Sequence, residues 1–290
     1  MNKFWIVPNY SKPQTIACAG KIAGILSGAG ASCGTARAAD GGDRQADAAR
    51  IPEDTECVIV LGGDGTLIRA FHDLAQAGKD IPVIGVNLGH IGYLAETDED
   101  HVGEMCGHLL RGEYFIENRM RLTGKAVRNG RTIYEGEALN DIILTRRETM
   151  KMVYFSLYVD GMYLSSYAAD GMITATPTGS TAYNLSAGGP IVMPTSKMIV
   201  LTPICPHTMI NARSIVIPSS SVVEMKVERR SGETGNGSAC VNFDAGASIP
   251  LLPEDRLEIR RAEVPARMVR IRETGFLETL RKKLDIQTER

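Results

Sequence analysis

Between Cys57 and Phe71 the sequence reads "CVIVLGGDGTLIRAF". Five apolar residues, Cys57 to Leu61, run straight into Gly62, Gly63 and Gly65, which surround one acid, Asp64. Leu67, Ala70, Phe71 and Leu74 then recur at helical spacing up to Gln76. A buried strand that passes through a glycine turn into a helix is half of a crossover unit. Crossovers of this kind need a parallel sheet covered by helices, so this stretch restricts the fold more than any other.

The neighbouring segments agree. Phe4 to Val7 reads as a strand closed by Pro8-Asn9, and residues from about 14 to 30 carry Ile16, Ala19, Ile22, Ala23 and Leu26 at helical spacing. Pro82 to Val86 reads as a third buried strand. Residues 1–118 are therefore expected to form an α/β domain with a parallel, Rossmann-like sheet. From Arg119 the texture changes to short β-branched and aromatic runs punctuated by Asn129-Gly130 and Asp160-Gly161, and "VRNGRTIY" is a strong hairpin signal. Residues 119–268 are expected to be β-rich and mostly antiparallel. Residues 269–290 end in a helix whose stripe of Phe276, Leu277, Leu280 and Leu284 should pack back on the first domain. There is no internal repeat, and "RRSGETGNGSA" is expected to be a mobile loop.

A net charge of -2 on 290 residues draws the chain to neither nucleic acid nor membrane. None of the six cysteines, Cys18, Cys33, Cys57, Cys106, Cys205 and Cys240, forms a C-x-x-C pair, which predicts buried free thiols in a reducing compartment. The opening "MNKFWIVPNY" has no long apolar core of a signal peptide, and no stretch approaches the roughly 20 apolar residues of a membrane span. A soluble cytoplasmic protein is expected.

Glycines between a strand and a helix let backbone N–H groups approach an anion, and the helix N-terminus adds partial positive charge. Gly62, Gly63 and Gly65 thus read as a phosphate-facing loop, although neither G-x-G-x-x-G nor a P-loop is present. On spacing alone, a tight turn with Asp64 or Thr66 as helix cap competes. An acid beside polyphosphate is unfavourable unless it ligates Mg²⁺ or accepts a proton from an attacking hydroxyl, and both uses belong to phosphoryl transfer. Elsewhere, His101, Glu104 and His108 in "HVGEMCGHLL" suggest a solvated helix rather than a metal site, and Ser180 in "GST" has no nucleophile-elbow context.

"GGDGT" at Gly62–Thr66 resembles a signature shared by NAD kinases, lipid kinases and, more distantly, phosphofructokinases. "NLGHIGYLAE", "ALNDIIL", "DGMITATPTGSTAYNLSAGGPIV", "LTPICPH" and "GFLETLRKKL" resemble NAD kinase segments in family order over nearly the whole chain. The resemblance implies ATP-dependent phosphorylation of NAD⁺ at the adenosine ribose 2′-hydroxyl. By resemblance, Asp64 is the proton acceptor, and Gly62, Gly63, Gly65 and Thr66 hold phosphates. Arg69 contacts the dinucleotide (or is a solvated helix cation), and Tyr93 lines the adenosine pocket (or is a core aromatic). Asn140 and Asp141 bind the nucleoside, whose edges and hydroxyls suit an amide and a carboxylate. Lys151 and Thr178, Thr181, Ala182, Tyr183, Asn184, Leu185 and Ser186 are further NAD-binding positions, and Asp170 contacts the nicotinamide amide. The family relation also implies Mg²⁺ or another divalent cation carried by ATP, with Asp64 as the protein carboxylate that could reach it. It implies no fixed protein metal site and no tightly bound organic cofactor. A homodimer or homotetramer is implied, because a neighbouring subunit often completes the nicotinamide pocket.

The chain departs from the pattern at Ala168 and Ala169, where relatives often carry a basic residue and a Gly or Ser. Gly246 in "NFDAGAS", where Asp244 matches, lacks an amide side chain and is expected to offer only backbone. A lipid kinase of the same superfamily and a non-catalytic dinucleotide sensor are the alternative readings.

Overall fold

The computed structural model describes every residue except 37–47, 90–91, 148–150, 208–212, 230–238, 245, 273–274 and 289–290. Most of the loop expected to be mobile lies outside the described residues. The chain divides into two units, Met1–Asn118 with Ala266–Arg290, and Arg119–Pro265.

The first unit holds β1 (Lys3–Pro8), α1 (Pro13–Gly28), β2 (Ser32–Thr35), β3 (Cys57–Leu61), α2 (Asp64–Gln76), β4 (Val83–Asn87), β5 (Thr97–Asp98), α3 (Val102–Arg111) and β6 (Phe115–Arg119). The second unit holds β7 (Leu122–Arg128), β8 (Arg131–Ala138), β9 (Asp141–Arg146), β10 (Val153–Val159), β11 (Met162–Ala169), β12 (Gly171–Ala175) and the one-turn helix α4 (Tyr183–Ser186). It continues with β13 (Met198–Ile204), β14 (Ile215–Pro218), β15 (Val223–Val227), β16 (Ala239–Phe243), β17 (Ile249–Leu251) and β18 (Arg256–Arg261). The chain then returns to the first unit with β19 (Ala266–Arg270) and α5 (Gly275–Thr288).

The first sheet runs β2-β1-β3-β4-β19-β6, with β5 beside β4. Strands β1, β2, β3, β4 and β5 pair in parallel, as does β19 on β4. All five residues of β3 are buried, as a central parallel strand covered on both faces requires. Helix α1 buries Thr15, Cys18, Ala19, Ile22 and Leu26, whereas Ile16 is exposed. Helix α2 begins at Asp64 rather than Leu67, because Gly63 serves as N-cap and an acid in the first turn suits the helix dipole.

The expected boundary at 268 is corrected: the second unit ends at Pro265, because β19 joins the first sheet through Met268 opposite Val83. Nothing local in "ARMVR" tells which sheet it will complete. The second unit is a sandwich of two six-stranded sheets, β11-β10-β15-β18-β7-β8 and β14-β13-β12-β9-β16-β17. Both contribute to one core that includes Leu122, Leu144, Phe155, Met172, Met225 and Val241. Asn129-Gly130 and Asp160-Gly161 close hairpins with both residues at positive φ, the type I′ geometry their sequence predicts.

Six cysteines are free. The expectation that all are buried is corrected at Cys205, which is exposed, and at Cys33, which is half-buried. Burial pushes the Cys57 thiol up to about 12. No helix among the described residues is long and apolar enough to cross a membrane.

Candidate active site

The carboxyl ends of β1 and β3 lie together, where Asn9 N–H donates to Leu61 C=O at 3.0 Å. Gly62 N–H donates to Val86 C=O at 3.0 Å, so the glycine turn starts at the strand ends, the usual ligand-binding edge of an open α/β sheet. A cleft of about 420 Å³ opens there, lined by Val7, Pro8, Asn9, Ser11, Lys12, Gly63, Gly65, Thr66, Arg69 and Ala70. Gly63 and Gly65 face open space, while a side chain at Gly62 would strike Thr66. Lys12 and Arg69 supply positive charge to the lining, and Arg69 is exposed.

Asp64 stands half-buried at the first helical position of α2. Its carboxylate accepts hydrogen bonds from Tyr93 N–H at 2.7 Å and Leu94 N–H at 3.1 Å. The acid therefore has fixed partners even though it sits on a flexible-looking glycine turn. Asn9 donates through Nδ2 to Thr66 Oγ1 at 3.2 Å and accepts from Ser11. Asn9, Ser11 and Lys12 were not among the residues expected from sequence. Their signal was position, since they directly follow the first parallel strand.

The ring of Tyr93 lies 5.9 Å from that of Phe276, and Lys283 Nζ sits 4.1 Å from its centroid. Helix α5 thus engages Tyr93, and burial, with the charge of Asp64 second, raises the phenol pKa. The side chain of Leu284, expected in the stripe of α5, lies outside the described residues.

In the second unit, Asp244 organises Leu139–Asp141. Its carboxylate accepts from the N–H groups of Leu139 at 2.5 Å, Asn140 at 2.7 Å and Asp141 at 3.1 Å. Asp141 is 4% exposed, and burial, then the charge of Asp244, pushes its carboxyl up to about 7. Thr176 links this segment to the hydroxyl-rich loop, because its N–H donates to Asn140 C=O at 2.8 Å and its Oγ1 to Leu139 C=O at 2.6 Å. A side chain at Gly179 would come within 2.1 Å of the Asn140 carbonyl, so the loop can lie there only with glycine.

Most of that loop's polar side chains are turned to internal use. Thr178 is buried and its Oγ1 accepts from Arg119 at 3.2 Å. Ser180 Oγ donates to Pro177 C=O at 2.7 Å and accepts from Val192 N–H at 3.0 Å. Asn184 is fully buried; its Nδ2 donates to Ser180 and Pro190 carbonyls at 3.0 Å, and its Oδ1 accepts from Thr202 at 2.6 Å. Every hydrogen-bonding atom of the Asn184 amide therefore has a protein partner.

By contrast, Tyr183, Leu185 and Ser186 are exposed, and Thr181 and Ala182 are half-buried. Lys151 is also exposed. Asp170 pairs with Arg146 of β9 at 3.3 Å. The Gly246 backbone is engaged within the fold, its N–H donating to Phe243 C=O at 2.8 Å and its C=O accepting from Asn242 Nδ2 at 3.3 Å. Among the described residues no group of three or more His, Cys, Asp or Glu is arranged to hold a metal ion. His108 instead lies near Glu104 and Glu113, on the wet side of α3.

Family comparison accounts for both halves. The model of the ATP-NAD kinase N-terminal domain matches residues 28–114, and that of the ATP-NAD kinase C-terminal domain matches residues 139–271. The chain is 42% identical over 296 residues to an NAD kinase of Lachnospira eligens, covering 98% of this chain and 100% of that protein. It is 39% identical over 289 residues to the NAD kinase of Symbiobacterium thermophilum, covering 98% and 99%. In fold it is similar to a yeast NADH kinase solved in complex with NADH, with a TM-score of 0.85, 23% identity and 98% and 88% of the two chains covered. It is likewise similar to an Archaeoglobus fulgidus NAD kinase solved in complex with ATP, with a TM-score of 0.75, 24% identity and 97% and 98% covered. With an acid held at a glycine turn on the ligand-binding edge of a parallel sheet, and full-length similarity at about 40%, the chain belongs to the NAD kinase family.

Proposed function

We propose that the protein phosphorylates NAD⁺ with ATP at the 2′-hydroxyl of the adenosine ribose, giving NADP⁺ and ADP. The observation that carries this reading is Asp64, held by two backbone N–H groups beside the open glycines of the cleft. In the reaction Asp64 takes the 2′-hydroxyl proton, the ribose oxygen bonds to the γ-phosphorus, and the bond to the β–γ bridging oxygen breaks to release ADP. The N–H groups of the turn and Lys12 hold the donor's phosphates, and Arg69 contacts the dinucleotide. Asn140 and Asp141 hold the nucleoside, and Tyr183 supplies an exposed ring for stacking. Tyr93, Lys151, Asp170, Thr178, Thr181, Ala182, Asn184, Leu185 and Ser186 belong to the same NAD-binding proposal.

A divalent cation fits this site as a companion of the nucleotide. Mg²⁺ is ordinarily bound by one or two carboxylates together with substrate phosphates, and Asp64 supplies one carboxylate between two glycines of the cleft lining. When bound, the ion would neutralise charge on the β- and γ-phosphates. Cytoplasmic residence, supported by the six free thiols, and assembly as a homodimer or homotetramer are part of the same proposal.

The experiment offers MgATP to the purified protein with NAD⁺ in one arm and diacylglycerol in the other. NADP⁺ formation is expected. Phosphorylated lipid without NADP⁺ would favour the lipid-kinase alternative, and NAD⁺ binding without turnover would favour the sensor.

A further inference from the structure

We propose that Gly92 and Arg270 are positioning residues that hold the Asp64 carboxylate in place for proton abstraction; the proposal rests on the catalytic reading of Asp64. The residues between Gly92 and Glu96 form a cradle. Its front is defined by the carboxylate itself, which accepts from Tyr93 and Leu94 N–H. A Cβ at Gly92 would lie 2.0 Å from Asp64 Oδ1 and 2.6 Å from its Cγ. All three nearest atoms to that hypothetical methyl belong to the Asp64 carboxyl group, and none belongs to backbone. Gly92 is therefore small for the sake of one side chain. A methyl there would be relieved by turning that side chain away, with little demand on the rest of the fold.

The back of the cradle is anchored by Arg270. Its Nη1 donates to Leu94 C=O at 3.1 Å and to Glu96 Oε2 at 3.0 Å, and its Nε donates to Glu117 Oε1 at 3.1 Å. Glu96 returns the grip, since its Oε1 accepts from Ile271 N–H at 2.9 Å and Arg272 N–H at 3.1 Å. Arg270 is 8% exposed. Leu94 is thus held on both sides, its N–H by Asp64 and its carbonyl by Arg270. A guanidinium suits this task because its rigid fork serves a carbonyl and two carboxylates at once, which an ammonium cannot reproduce.

The test is steady-state kinetics on the full chain with MgATP and NAD⁺, for Gly92→Ala and Arg270→Lys, each alone and combined with Asp64→Ala. Gly92→Ala should lower kcat by about 10²-fold, the scale of a roughly 1 Å misplacement, with both KM values within about twofold of wild type. Arg270→Lys keeps the buried charge and should lower kcat less, again without moving KM. In the Asp64→Ala background neither change should cost anything further, because no carboxylate remains to be positioned. A merely structural role would give the same loss in both backgrounds, and that result overturns the proposal. Wild-type kcat in Gly92→Ala, with turnover lost in Asp64→Ala, overturns the positioning proposal alone. Wild-type kcat in Asp64→Ala overturns the catalytic reading and the proposal together.

Discussion

Two aspartates, one in each unit, collect backbone N–H groups from a distant segment. Asp64 takes two, from Tyr93 and Leu94, and Asp244 takes three, from Leu139, Asn140 and Asp141. Their surroundings differ. Beside Asp64, Gly63 and Gly65 face open space and line a cleft. Beside the segment that Asp244 holds, Gly179 is pressed against the Asn140 backbone, and Asp141 is buried. The same hydrogen-bonding device therefore serves two ends. At Asp64 it aims an acid whose neighbours leave room for a ligand; at Asp244 it builds a scaffold that fixes other residues.

The contrast breaks if the two acids respond alike to removal. Asp64→Ala should lower kcat at least ~10²-fold, the lower range for loss of a general base, while orphaning two N–H groups and so costing less stability than loss of Asp244. A near-wild-type rate would reject its role. Asp244→Ala should do the reverse in kind. It orphans three N–H groups in a partly buried segment, so stability should fall by about 3 kcal/mol, measured by urea denaturation. An unchanged denaturation midpoint would show that Asp244 is not a scaffold.

A third test concerns Asp141. Its folded pKa, about 7, lies above its ordinary value of 3.8. Between those values the native state holds a proton that the unfolded state has released, so stability falls as pH rises through this window, and the penalty is complete above it. Asp141→Asn removes that penalty, since an amide carries no charge to bury. The variant should be more stable than wild type by up to roughly 4 kcal/mol at pH 8, with the gain shrinking towards pH 4. A gain independent of pH would reject the assignment of the buried proton to Asp141.

Much of the architecture was legible because it is written in local patterns. The unbroken apolar run of β3, the glycine turn and the helical stripe of α2 each follow from neighbouring residues, as do the Asn129-Gly130 and Asp160-Gly161 hairpins. The boundary near 268 was misplaced because membership of a sheet is not a local property, and β19 pairs with a strand almost two hundred residues earlier. Within the hydroxyl-rich loop, residue types suggested ligand contact for Thr178 and Asn184 alike, and the fold turned both inwards. A hydroxyl or amide can serve a ligand or a neighbouring carbonyl with equal chemistry, so composition does not decide between them.

By itself the sequence determined the class of fold, the family and the acid at the centre of the proposed reaction. Strand and helix periodicity and turn chemistry act over a few residues, and the family motifs are strings of residues in order. Only the tertiary structure decided what holds that acid. The donors to Asp64 lie 29 and 30 residues away, the space it needs is left by Gly92, and Arg270 reaches back 176 residues to Leu94. Hydrogen-bond direction and steric room depend on where distant backbone segments come to rest, and that is fixed by packing the whole first sheet rather than by any stretch within it.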